Sequence, residues 1–158
     1  KNPNKKFVAI DVKADRLVKG AQQAESDQLR NIRFLRARAD QLLEAFAPHS
    51  IKYIWITFPD PYPKKRNAGR RLTHPTFLKI YKELLREDGA LYFKTDAKEL
   101  FDWSLEQLVA EGWQIQRLSF DLHESDLNEN YKVMTTYERR FVSEGLKINF
   151  VKALPPKK

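Results

Sequence analysis

The chain has 158 residues, 42% of them hydrophobic and 32% charged, which gives one domain with a real core and excludes a disordered chain. Its net charge of +8 and pI near 9.6 favour a polyanionic partner, nucleic acid before an anionic membrane surface. It has no cysteine, which excludes disulfides and thiolate metal sites, and its three histidines, His49, His74 and His123, are too far apart in sequence to suggest a metal cluster. No apolar run approaches the roughly 18 residues of a membrane span and no signal-peptide pattern opens the chain, so a cytoplasmic protein with neither membrane nor metal is expected.

In chain order, residues 7–11 read as a short buried strand ending in an acid, Asp11. Residues 15–26 read as a helix with Leu17, Val18, Ala21 and Ala24 on one face and Asp15 as its N-cap. A second strand over 32–36 and a short helix over about 41–47, bounded by Asp40 and Pro48, follow. Residues 51–57 form the third strand. Thr73 is expected to cap the next helix, with Pro75 in its first turn. That helix carries Phe77, Leu78, Tyr81, Leu84 and Leu85 as an amphipathic stripe, and Asp88-Gly89 ends it.

Residues 90–95 are the fourth strand, closing on Asp96. A helix over 97–111 turns Leu100, Phe101, Leu105, Leu108 and Val109 inward and stops at Gly112. Residues 114–122 alternate as a strand, 123–133 are polar and irregular, a short helix runs from Thr135 to a stop at Gly145, and 146–151 are a last strand before a frayed tail. Strand and helix alternate four times. The pattern calls for an α/β chain with a mostly parallel sheet, helices on both faces and an antiparallel edge strand.

Residues 58–71 stand out. Asp60 is held between two prolines beside Tyr62, and Lys64, Lys65, Arg66, Arg70 and Arg71 follow within eight positions. Proline fixes φ and removes a backbone donor, so the strand stops and the turn is stiff. The cations are too concentrated to bury and repel one another unless an anion lies among them. Asp11, Asp60 and Asp96 each end a strand, where open α/β sheets bind ligands, and Asp40 lies just past another. An acid at the end of the second strand of such a fold accepts hydrogen bonds from ribose hydroxyls, a role that suits Asp11. No G-x-G-x-x-G occurs anywhere in the chain. The stretch from Thr135 to Glu138 also has the form of a capping box.

Phe58-Pro-Asp-Pro-Tyr-Pro-Lys-Lys-Arg66, Arg70-Arg71-Leu72, Phe93-Lys94-Thr95-Asp96, Asp121-Leu122-His123 and Thr135-Thr136-Tyr137-Glu138 occur in an order and spacing that resemble the bacterial tRNA (guanine-N7-)-methyltransferases. The resemblance covers the chain from about Phe7 onward. It implies a Rossmann-like class I fold, S-adenosylmethionine as methyl donor, and a guanine of the tRNA variable loop as acceptor. It implies that Asp11 and Asp60 are donor-side acids, Asp60 being the acid of the active centre. Lys64, Asp96 and Thr135, Thr136, Tyr137 and Glu138 correspond to substrate positions. Arg66, Arg70 and Arg71 lie in the RNA-contacting stretch. A slot near the donor's adenine, often Asp or Asn in the family, falls on Arg38 here, with Asp40 two residues on. Tyr62 stands where Trp is more usual. The family's first strand and its glycine-rich donor loop are missing, so a single, N-terminally truncated domain is expected, with weak donor binding of its own. Two rival readings remain: an amino-group methyltransferase using Asp60-Pro61-Tyr62-Pro63, and a non-catalytic RNA-binding fragment.

Overall fold

A computed structural model describes residues 2–157. The chain divides into two compact units, Lys1–Ala45 and Phe46–Lys158.

In the smaller unit β1 (Phe7–Asp11) pairs in parallel with β2 (Ile32–Arg36), from Phe7↔Ile32 to Asp11↔Arg36. The helix α1 (Ala14–Ser26) connects them. It begins after Lys13, with Asp15 in its first turn and not at the cap, a place where an acid still suits the helix dipole. β1 is not buried as expected. Phe7, Val8 and Ile10 are 43%, 43% and 39% exposed, because one helix on a two-stranded sheet leaves a face uncovered within this unit. The helix expected over 41–47 is shorter. A 3-10 turn at Ala39–Gln41 leads into α2 (Leu42–Ala45), which ends before the residue preceding Pro48, where helical backbone is disfavoured.

The larger unit is a four-stranded sheet in the order β3-β4-β6-β5. β3 (Ile51–Thr57) runs parallel to β4 (Leu85–Thr95). β6 (Asn149–Leu154) is antiparallel both to β4 and to β5 (Gln114–Ser119), so the strand that runs against the others is β6, one place in from the β5 edge. Both β5 and β6 are displaced from their expected ends: β5 stops at Ser119, and β6 starts three residues later and runs on to Leu154. The stretch 123–133 is not wholly irregular, since 3-10 turns occupy Leu122–Glu124 and Glu129–Lys132.

α3 (Pro75–Leu84) is capped by His74, whose ring accepts from the Thr76 N–H, and not by Thr73. Thr73 is buried and bonded to Ser104 instead. Asp88-Gly89 does not end this helix; it lies inside β4. The register jumps there from Ile51↔Leu85 to Tyr53↔Ala90. A Cβ on Gly89 would sit 2.7 Å from the Lys52 carbonyl oxygen, so this irregular crossing of β3 needs glycine. α4 (Lys98–Ala110) buries Leu100, Phe101, Ser104 and Leu108, whereas Val109 is 64% exposed. α4 and α5 (Thr136–Ser143) both stop at a left-handed glycine, Gly112 at φ +84° and Gly145 at φ +81°, as expected.

From Gly89 to Thr95 β4 is buried on both faces, whereas Arg86, Glu87 and Asp88 are exposed. Phe93 stacks on Phe101 of α4 at 6.0 Å. Tyr92, on the other face, packs with Leu122, Ile148 and Phe150, and Phe141 of α5 closes that cluster. Among the described residues no helix is long and apolar enough to cross a membrane, and no group of three or more His, Asp or Glu is placed to hold a metal ion.

Candidate active site

In the larger unit the site starts from strand register. Thr57 pairs with Lys94, and the Phe58 N–H donates to the Lys94 carbonyl at 2.9 Å. β3 and β4 therefore end level. Asp60 follows three residues beyond Thr57 and Asp96 two beyond Lys94, so both acids leave the carboxyl ends of adjacent parallel strands. Asp60 is exposed and Asp96 half-buried. The turn at Asp96 is fixed on both sides. Thr95 Oγ1 accepts from the Ala97 N–H at 3.1 Å, and buried Asn149 donates to the Thr95 carbonyl at 3.0 Å.

The turn that carries Asp60 is held in an unusual conformation. Phe58 and Tyr62 both have left-handed backbones, at φ +51° and +42°. Each such residue costs on the order of 1–3 kcal/mol and persists only where its surroundings impose it. At Phe58 the constraint is packing, its ring 5.5 Å from Phe141. At Tyr62 it is Arg71, whose Nε and Nη2 both donate to the Tyr62 carbonyl, at 3.1 and 2.9 Å. The Arg71 guanidinium also lies 4.6 Å from the centre of the Trp103 ring. The expectation that the whole cationic run is too crowded to bury fails here. Arg71 is only 9% exposed because a carbonyl and an indole face replace its water. Lys64, Lys65, Arg66 and Arg70 are exposed, along a 3-10 turn at Lys65–Arg70.

The segment from Thr135 to Glu138 opens α5. Thr135 Oγ1 accepts from the Glu138 N–H at 3.0 Å, which is half of a capping box. The other half is absent, because the Glu138 side chain turns inward. It is fully buried, with Oε1 3.2 Å from Lys94 Nζ and Oε2 2.5 Å from His123 Nε2. Lys94 Nζ also donates to the Val133 carbonyl at 3.1 Å. Burial pushes the Lys94 ammonium pKa down, and Glu138 opposes that shift only in part. Thr136 and Tyr137 remain exposed beside this buried network.

In the smaller unit Asp11 ends β1 and is half-buried. Its Oδ1 accepts from the Lys13 N–H at 3.0 Å, and its Oδ2 lies 3.7 Å from Arg16. Arg38 is exposed and pairs through Nε with Asp40 at 3.1 Å, while Gln41 accepts from the Arg38 N–H.

The structure thus places Asp60, Asp96, Lys64 and the 135–138 segment in the larger unit and Asp11 and Arg38 in the smaller one, and sequence reasoning missed the roles of Lys94, His123 and Trp103. A lysine directly after the apolar run Leu91-Tyr92-Phe93, still within the central strand, was the available signal, since a cation there requires a buried partner.

A family model described as "Putative methyltransferase" matches residues 1–151. The tRNA (guanine-N(7)-)-methyltransferase of Brevibacillus brevis is 42% identical over 153 residues, covering 97% of this chain and 71% of that protein. The corresponding enzyme of Clostridioides difficile is 38% identical, covering 93% and 68%. Among solved structures, the 16S rRNA methyltransferase KamB aligns with a TM-score of 0.69 at 16% identity, covering 98% of this chain and 79% of that one. A SAM-dependent methyltransferase from Aquifex aeolicus aligns at 0.61 and 13% identity, covering 94% and 68%. These two support the fold.

Proposed function

The chain belongs to the tRNA (guanine-N(7)-)-methyltransferase family, and from that premise we propose how its residues carry methyl transfer from S-adenosylmethionine to N7 of a tRNA guanine. The acceptor is read as a guanine of the variable loop, the two units as one methyltransferase domain, and the setting as cytoplasmic.

The residues present suit the donor's chemistry. A half-buried acid at a strand end, Asp11, offers acceptors to ribose hydroxyls, and the exposed Arg38–Asp40 pair is the candidate for the adenine side. S-adenosylmethionine supplies a sulfonium-activated methyl group. Guanine N7 holds an in-plane lone pair outside Watson–Crick pairing and is already a nucleophile, so no general base is required to activate it. The protein's task is then to align N7 and to keep water away from the reacting atoms. Asp60 accepts from the N1–H and N2–H₂ edge of the guanine and offsets the positive charge that the ring gains. Lys64, Asp96 and the exposed Thr136 and Tyr137 bound the base, with Thr135 capping and Glu138 anchoring the helix that presents them. Arg66 and Arg70 take phosphates.

The observation that carries this reading is the level ending of β3 and β4, which sets Asp60 and Asp96 on one rim of the larger unit with an exposed cationic stretch directly after it. The test is to incubate the protein with tRNA and donor, digest the RNA and identify the modified nucleoside by mass spectrometry. 7-Methylguanosine is expected. A methyl on an exocyclic amine would assign the Asp60-Pro61-Tyr62-Pro63 turn to the rival chemistry, and no methyl at all would leave an RNA-binding fragment.

A further inference from the structure

We propose that Arg71 is a positioning residue that holds the Asp60 turn through the Tyr62 carbonyl, and not one of the RNA-contacting cations of its run. The inference rests on the reading of Asp60 given above and deepens it.

Pro59, Pro61 and Pro63 lack amide protons, so the turn is short of backbone donors with which to hold its own shape. The left-handed Tyr62 between two prolines needs a constraint from outside. Arg71 supplies it, with two N–H groups of one planar guanidinium on one carbonyl oxygen. Its mount is rigid. The guanidinium rests on Trp103 of α4, Tyr81 of α3 donates to the Leu72 carbonyl at 2.8 Å, and Thr73 bonds Ser104 of α4 at 2.6 Å. His74 stacks on the same indole at 6.3 Å. Arg71 to His74 are therefore pinned to two helices, and Arg71 passes that rigidity to the turn. A guanidinium bound to a carbonyl, stacked on an indole and 9% exposed is poorly placed to meet a phosphate, unlike its exposed neighbour Arg70.

The test compares Arg71→Ala, Arg71→Lys, Trp103→Leu and Arg70→Ala with the parent chain. Three measurements are made: hydrogen exchange of the Phe58 and Asn67 amides, which donate to the Lys94 and Lys64 carbonyls at the two ends of the turn, the salt dependence of tRNA binding, and kcat at saturating tRNA. A positioning role predicts faster exchange in both Arg71 variants and in Trp103→Leu, and kcat lower by roughly 10- to 100-fold on the scale of a 1 Å misplacement. It predicts a salt slope within error of the parent for all three. Lysine does not rescue, because a point charge cannot reproduce the planar two-bond and stacking geometry. Arg70→Ala should instead lose about 0.7–0.9 units of slope. A slope that falls in Arg71→Ala and is restored in Arg71→Lys, or unchanged exchange in Arg71→Lys and Trp103→Leu, would overturn the proposal. The exchange and binding measurements need no turnover, so they decide the role of Arg71 even if the parent chain makes no 7-methylguanosine, a result that would count against the proposed reaction alone.

Discussion

Glu138 of α5 turns its carboxylate onto the ammonium of Lys94 in β4, with Oε1 3.2 Å from Nζ and neither side chain more than 3% exposed. The pair joins the central strand to the helix start that presents Thr136 and Tyr137. Removing one partner of such a pair leaves the other charge stranded, at about 3–5 kcal/mol, while replacing both by apolar residues can be near neutral. Glu138→Leu, which leaves the buried Lys94 ammonium without a carboxylate, should therefore be severely destabilised in urea unfolding, and adding Lys94→Met should recover most of the loss. Equal stability of the single and parent proteins would show that the pair holds nothing together.

Asp60→Asn keeps the size of the side chain and removes its charge. With donor and tRNA saturating, kcat should fall on the order of 10²-fold, comparable to removing one well-placed electrostatic partner of a charge that develops in the transition state. Thermal unfolding should barely move, since Asp60 is exposed. A parent-like kcat/KM would remove Asp60 from the chemistry.

Arg66→Ala combined with Arg70→Ala should weaken tRNA binding most at low salt. The slope of log K against log salt should drop by about 0.7–0.9 for each phosphate that is no longer neutralised. Fluorescence anisotropy across a salt series measures it. Parallel lines for variant and parent would mean that neither arginine meets a phosphate.

Alkaline stability should depend on Tyr92. Burial, with the phenols of Tyr131 and Tyr53 close by, pushes its pKa up to about 12, above the ordinary value of 10.0. The folded state thus keeps a proton that the unfolded chain gives up. That contribution is complete below pH 10 and is lost as pH rises through about 12. Lys94 acts in the opposite sense: its folded pKa lies below its ordinary one, so the cost of burying its charge fades as pH climbs. Comparing Tyr92→Phe with the parent isolates the tyrosine. Between pH 10 and 12 the variant should lose less stability, and identical slopes would rule the effect out.

The alternation of strands and helices was legible because periodicity is local, as were the glycine stops at Gly112 and Gly145. Asp60 and Asp96 were legible as strand-end acids, and the pairing Thr57↔Lys94 explains why they share an end. What stayed hidden depends on partners far along the chain. Lys94 and Glu138 are 44 positions apart, and α3 and β4 lie between Arg71 and Trp103, so no spacing rule links them. The run Leu85–Ala90 misled because its apolar start continues the stripe of α3, whereas pairing with β3 draws it into the sheet. Glu138 looked like a capping residue because the motif records only spacing, and the buried Lys94 and His123 attract the carboxylate more strongly than a backbone amide does.

The place of β6 has a consequence for the order in which this molecule acquires its shape. Among the described residues β5 has β6 as its sole neighbour in the sheet, and β6 is made after it. On the ribosome β5 must therefore wait as an unpaired ribbon until residues 149–154 have been synthesised and have slotted in beside β4. The join Leu91↔Ala153 closes a long loop, a pairing that forms late and slowly. The sheet supporting the Asp96 turn is thus completed from its middle outward, and a nascent chain halted before β6 would present two bare strand edges to whatever lies nearby.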